Sequence, residues 1–239
     1  MEDTVVIALG GSLLYKESLI ELESWKVKLV DLVRDVIDLG MKIVFVVGGG
    51  KLARENIIAA KNQGISEKFE LDLIGIEATR KNASEILELF SNAKIQINQK
   101  IPKEINEGIL CFNNSKVIVM GGTVPGHTTD AVAIRMGKEL KSKMVIIATN
   151  VTHVYTKDPR FDSNASPIES MTLLELGILS GVGEDIQPGS SFAVDPVGVS
   201  IAIENNLSLA VLDGSNIENL RKAICGDVFE GTLVSGRVD

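Results

Sequence analysis

Lys42 to Arg54 reads KIVFVVGGGKLAR, an unbroken apolar run that stops at three glycines and restarts as a helix-compatible segment. Apolar residues that do not alternate with polar ones over so short a span predict a strand buried on both faces, as in parallel sheets. Gly48, Gly49 and Gly50 end it, and Lys51 to Gln63 predicts a helix stopped by Gly64. The chain opens in the same order. Val5 to Leu9 (VVIAL) runs into Gly10 and Gly11, and Leu19 to Leu39 carries Leu22, Trp25, Leu29, Leu32, Val33 and Val36 at helical spacing before Gly40. Val117 to Met120 (VIVM) then runs into Gly121 and Gly122, followed by a predicted helix over Thr128 to Leu140.

Between and beyond these units, Leu71 to Phe90 predicts a long helix. Ile95 with Ile97, and Ile109 to Phe112, predict short strands; Met144 to Ala148 and Leu209 to Leu212 predict buried ones, with a helix around Ile201 to Asn205. Alternating strands and helices predict an α/β fold, a three-layer αβα sandwich with a central, mostly parallel sheet and a ligand at the carboxyl ends of its strands. Thr156 to Pro167 and the Gly- and Ser-rich Gly177 to Ser191 predict surface loops or covers over a site.

Composition narrows the function. The 239 residues are 45% hydrophobic and 4% aromatic, but no apolar run approaches the length of a membrane span. The first residues, MEDTVVIALGGS, lack the basic and apolar regions of a secretory signal, so a cytoplasmic protein is expected. A formal charge of −8 has the wrong sign for gripping a nucleic-acid backbone. Cys111 and Cys225 have no Cys or His at ligand spacing, which predicts neither a zinc site nor a disulfide framework; both read as buried small hydrophobes.

Glycine at a strand end permits positive φ and lets backbone N–H groups approach a phosphate, so three such loops at one sheet edge predict a phosphate site. Gly50-Lys51 is not followed by Ser or Thr, and no G-x-G-x-x-G opens a helix, which disfavours the P-loop and dinucleotide classes. The most specific stretch is Met120 to Ala133, MGGTVPGHTTDAVA. Thr128, Thr129 and Asp130 fall where a helix begins: one threonine can cap it, while the same first turn can bind an anion and Asp130 can position a cation.

GGS at Gly10 to Ser12, GGGKLAR at Gly48 to Arg54, GGTVPGHTTDAVA at Gly121 to Ala133, TNVTHVYTKDP at Thr149 to Pro159 and VDP at Val194 to Pro196 resemble the amino acid kinase superfamily, and within it the archaeal-type uridylate kinases. The resemblance implies the amino acid kinase fold as a single domain over 1–239, with an acceptor-binding lobe over roughly 1–141 and a nucleotide-binding lobe over roughly 142–239. It implies transfer of the γ-phosphoryl of ATP to UMP, with Mg²⁺ held mainly by ATP phosphates and water, in a homo-oligomer that is hexameric in the family. Gly10, Gly11 and Ser12 would cradle the ATP phosphates, Tyr155, Asp158 and Pro159 would lie around adenine and ribose, and Asn150 would belong to the ATP-binding set. Gly49 and Gly50 would point N–H groups at the transferred phosphoryl, Arg54 and Thr129 would hold the UMP phosphate, Asp72 the ribose, and Thr123 would lie near the base. Asp130 and Asp195 match the carboxylates that organise the centre, and His127 reads as a loop-shaping residue.

The match departs at Ala8 and Asn150, where many relatives carry lysine, and at Thr152 and His153, which replace the Asp and Gly of a common N-V-D-G. Lys51, beside the second glycine loop, is the candidate replacement cation. Other readings are a kinase of the same fold acting on isopentenyl phosphate, carbamate or an acidic amino acid, and a non-catalytic assembly that stores nucleotide or oxyanion.

Overall fold

A computed structural model describes residues 3–183 and 194–236. In chain order the principal elements are β1 (Thr4–Leu9), α1 (Leu19–Asp38), β2 (Lys42–Val47), α2 (Gly50–Asn62), α3 (Lys68–Asn92), α4 (Ile105–Cys111), β3 (Val117–Met120), α5 (Thr129–Glu139) and β4 (Met144–Thr149). There follow β5 (Val154–Tyr155), β6 (Pro167–Ile168), β7 (Ser170–Thr172), α6 (Leu173–Leu179), α7 (Pro196–Asn205), β8 (Ser208–Asp213), α8 (Ile217–Cys225) and β9 (Thr232–Ser235).

The main sheet has the order β3-β2-β1-β4-β8-β9-β7. β1 pairs parallel with β2 and β4, β2 with β3, and β4 with β8, whereas β9 runs antiparallel to β8. Register explains why apolar runs replaced alternation. Val5, Ile7, Leu9, Ile43, Phe45 and Val47 face a core layer shared with α1 and α8, while Val6, Ala8, Val44 and Val46 face a second layer shared with α5 and α7. Both faces are covered, so every position must be apolar. The predicted three-layer sandwich is the observed one, and the sheet runs without a break across Lys141 and Ser142.

Some local readings are corrected. Ile109 to Phe112 is not a strand: Ile109 to Cys111 closes α4 and Phe112 caps it, because Ile105, Ile109 and Phe112 recur at helical spacing and pack on the second layer. Ile95 and Ile97 form no named strand; Ile97 makes one isolated bridge to Val117. Cys225 is exposed and Cys111 only partly buried, so neither is the buried hydrophobe expected; each ends its helix at the surface. Thr156 to Pro167 is mainly the β5–β6 hairpin loop, with Phe161 exposed at its tip. Gly177 is buried within α6, and residues 184–191 of the predicted Gly- and Ser-rich loop lie outside the described residues.

Candidate active site

Because β1, β2 and β3 are parallel, their three glycine loops emerge at one edge of the sheet. The first two interlock. A Cβ on Gly11 would stand 2.5 Å from Gly50 N and 2.7 Å from the Gly48 carbonyl carbon, and one on Gly50 would stand 2.7 Å from Ser12 N. Gly50 also has φ +54°, where a side chain is strained. The Gly10 N–H donates to Ala148 O at 2.8 Å, and Gly48 N–H to Leu9 O at 2.8 Å. These bonds tie the first loop to the end of β4 and the second to the end of β1.

The long helix α3 holds the other side. Asn82, fully buried, donates through Nδ2 to Gly48 O at 2.8 Å and Gly49 O at 3.1 Å, while its Oδ1 accepts from the Tyr15 hydroxyl at 3.1 Å. Thr79 Oγ1 accepts from Gly122 N–H at 2.6 Å, and Arg80 donates to Gly122 O and Thr123 O at 3.2 and 3.1 Å. Asp72 accepts the Gly126 N–H at 2.8 Å and thereby shapes the PGHTT loop. Of the side chains named here, Asp72 was identified from sequence, as were Thr123 and the loop glycines. Thr79, Arg80 and Asn82 were missed; the available signal was a buried helix face carrying a Thr and an Asn three residues apart.

Thr128 is the N-cap of α5, its Oγ1 accepting from Ala131 N–H at 3.3 Å. Thr129 therefore opens the helix proper, and its Oγ1 stands 3.4 Å from where a Gly48 Cβ would lie, so the third segment reaches the second loop. Asp130 occupies the first turn of α5 and Asp195 caps α7, accepting from Gly198 N–H at 3.0 Å. Gly198 permits this approach, since a Cβ there would stand 2.8 Å from Ile134 Cδ1 and 3.2 Å from Ala131 Cα. Desolvation raises the Asp130 pKa from 3.8 to about 6, with help from the Asp195 charge and against a hydrogen bond from the Asp195 backbone. His127 lies 3.5 Å from Arg135 Nη1, consistent with a loop contact.

A cavity of about 310 Å³ adjoins the end of β4, lined by Thr149, Asn150, His153, Tyr155, Asp158 and Pro159 among others. Four residues of the expected ATP-binding set, Asn150, Tyr155, Asp158 and Pro159, thus line one cavity. The Tyr155 hydroxyl is 2.9 Å from Thr152 Oγ1, and the His153 ring meets Tyr155 edge-on at 6.3 Å. His153 Nδ1 is buried without a hydrogen-bond partner among the described residues. Asp158 is held below the usual carboxylate range by hydrogen bonds from Arg160. A larger cavity, lined by Asp3, Thr4, Lys143 and Met144 among others, lies at the opposite ends of the strands, away from every glycine loop.

Lys51 and Arg54 stand exposed on the first turns of α2, where Lys51 makes a 3.7 Å contact with Glu55. Ala8 is buried in the second core layer, and Asn150 is exposed beside Thr149.

The sequence profile of the amino acid kinase family matches residues 3–213. The chain belongs to that family. Among similar curated proteins, uridylate kinases of Methanococcus aeolicus and Methanocaldococcus jannaschii are 35% and 34% identical, each alignment covering 97% of this chain and 99% of the relative. The solved uridylate kinase of Archaeoglobus fulgidus superposes with a TM-score of 0.82 at 31% identity, over 98% of this chain and all of that one. A UMP kinase structure from Bacillus anthracis, at 20% identity and a TM-score of 0.77, shares the amino acid kinase fold, covering 99% of this chain and 97% of its own.

Proposed function

We propose that this amino acid kinase is a UMP kinase, transferring the γ-phosphoryl of ATP to UMP to give UDP and ADP for pyrimidine nucleotide synthesis. The observation that carries the reading is the convergence of two interlocked glycine loops with the Thr129 helix start, in a chain similar over nearly its whole length to uridylate kinases. An oxygen of the UMP phosphate forms the new bond to the γ-phosphorus as the bond to the ADP oxygen breaks. The acceptor oxygen is already ionised, so no general base is needed and catalysis reduces to positioning and charge neutralisation.

In this reading residues 1–141 bind the acceptor and 142–239 the nucleotide. Gly10, Gly11 and Ser12 cradle the ATP phosphates, and Gly49 and Gly50 direct N–H groups at the moving phosphoryl. Arg54 and Thr129 hold the UMP phosphate, with Asp72 and Thr123 toward ribose and base. Asn150, Tyr155, Asp158 and Pro159 wall the adenosine cavity, and Lys51 swings inward as the replacement cation. Mg²⁺ would be held mainly by ATP phosphates and water. When bound it would neutralise phosphate oxygens, and Asp130 and Asp195 orient its shell. Exposed Phe69 and Leu73 on α3 and Ile58 on α2 favour a homo-oligomer, a hexamer by family resemblance. No helix among the described residues is long and apolar enough to cross a membrane, and the cytoplasmic location is part of the proposal.

The test is ADP release with Mg²⁺ and ATP against UMP, CMP, dUMP, isopentenyl phosphate, carbamate and glutamate. Selective, stoichiometric turnover of UMP is expected. Selective turnover of another acceptor, or ATP binding without turnover of any, overturns the proposal in favour of a different kinase or a storage assembly.

A further inference from the structure

We propose that Asn82 is a positioning residue for phosphoryl transfer, aiming the Gly49 and Gly50 N–H groups by pinning the two carbonyls that precede them. The inference rests on the kinase reading for the identity of the phosphoryl group, and on geometry for everything else.

Asn82 has no exposed surface, and its amide is fully committed: both Nδ2 hydrogens go to Gly48 O and Gly49 O, and Oδ1 accepts from Tyr15. The orientation is unambiguous, since the flipped amide would set an oxygen against two carbonyl oxygens. Every peptide bond among the described residues is trans, so each carbonyl and the N–H that follows it point in opposite directions. With Gly48 O and Gly49 O turned toward α3, the Gly49 and Gly50 N–H groups turn away from it. The first glycine loop abuts this peptide run, with Gly11 packed against both Gly48 O and Gly50 N. Among the described residues neither N–H donates to a backbone acceptor outside its own helix, which suits donation to an anion.

Three consecutive glycines carry no side chains to hold their peptide planes, and glycine samples more conformations than any other residue. Donors stabilise a transition state only if they are oriented before charge develops. The Ala53 N–H of α2 holds Gly49 O at 3.1 Å, and Asn82 is the side chain that contacts both carbonyls that decide the direction. Tyr15, from the segment that follows the first glycine loop, locks the amide in turn, so the two loops share one anchor.

The experiment compares wild type with Asn82→Leu and Tyr15→Phe in the full-length chain, measuring kcat, the KM for UMP, and calorimetric binding of Mg²⁺·ATP. Misplacing catalytic groups by about 1 Å costs on the order of 100-fold in rate, and Asn82→Leu is expected to lower kcat by about that factor. ATP binding should weaken about tenfold while the KM for UMP stays within about threefold, a split that general loosening of the fold would not give. Tyr15→Phe keeps both amide donors and serves if Asn82→Leu does not fold; its kcat is expected to fall about three- to tenfold, again with the KM for UMP unchanged. A folded Asn82→Leu protein with wild-type kcat and ATP affinity overturns the inference. So does a wild-type kcat for Tyr15→Phe where the leucine variant is unfolded. Absence of UMP turnover in the wild type would instead defeat the kinase reading, and unchanged ATP binding in the variants would then decide against Asn82 separately.

Discussion

Asp130 in the first turn of α5 lies against Asp195 at the N-cap of α7, and the Asp195 backbone N–H donates to the Asp130 carboxylate while the Asp195 charge opposes its ionisation. Two carboxylates brought together by helix packing make a site that gains from a cation.

The Asp130 pKa of about 6 in the nucleotide-free protein sets a pH signature. A carboxyl whose folded pKa exceeds its unfolded value stabilises the fold fully below about pH 4, and that contribution is lost as pH rises through about 6. Asp130→Asn is therefore expected to be more stable than wild type at pH 8, by about 3 kcal/mol, and equal to it near pH 3.5. Urea unfolding at the two pH values checks this. Mg²⁺·ATP should narrow the difference at pH 8 by favouring the ionised Asp130.

Gly11→Ala places a methyl group against backbone atoms of Gly48 and Gly50 that cannot yield without opening the loops. Activity is expected to fall at least about 100-fold, as it does when reacting groups are misplaced. Gly126→Ala is the contrast: φ is +83° but the space is open, so a strain cost of about 1 kcal/mol is expected. Comparable activity losses for the two would remove the interlock from the account.

Lys51→Ala tests the replacement cation. Its exposed contact with Glu55 contributes at most about 0.5 kcal/mol, so the melting temperature should barely move. The kcat is expected to fall about 100-fold, the usual scale for one well-placed charge at a developing anion. A kcat within about threefold of wild type removes Lys51 from the mechanism.

Trp25 is buried on α1 and donates through Nε1 to Gly214 O at 2.9 Å, tying that helix to the turn after β8. Trp25→Phe leaves the carbonyl without its partner, and a loss of about 1 to 2 kcal/mol is expected in denaturant unfolding. Full stability in the variant would mean that water or a local shift replaces the bond.

Much of the architecture was legible because a strand covered on both faces must be apolar throughout. VVIAL and KIVFVV therefore announced themselves, and the glycines that stop them marked the sheet edge at which the loops meet. Helices with long amphipathic stripes, α1 and α3, were equally plain. Ile109 to Phe112 misled because four apolar residues fit either period until a neighbouring layer selects one. Sequence motif also named the glycines, Thr129 and both carboxylates, since those groups identify themselves by type. Tertiary structure alone decided the strand order, the interlock of Gly11 with Gly50 and the meeting of Asp130 with Asp195. It also decided the grip of Asn82 on two carbonyls 33 and 34 positions away. Those relations depend on which backbone atoms packing brings within hydrogen-bond reach, and a buried Asn has the same letter whether it holds a catalytic loop or caps a quiet turn.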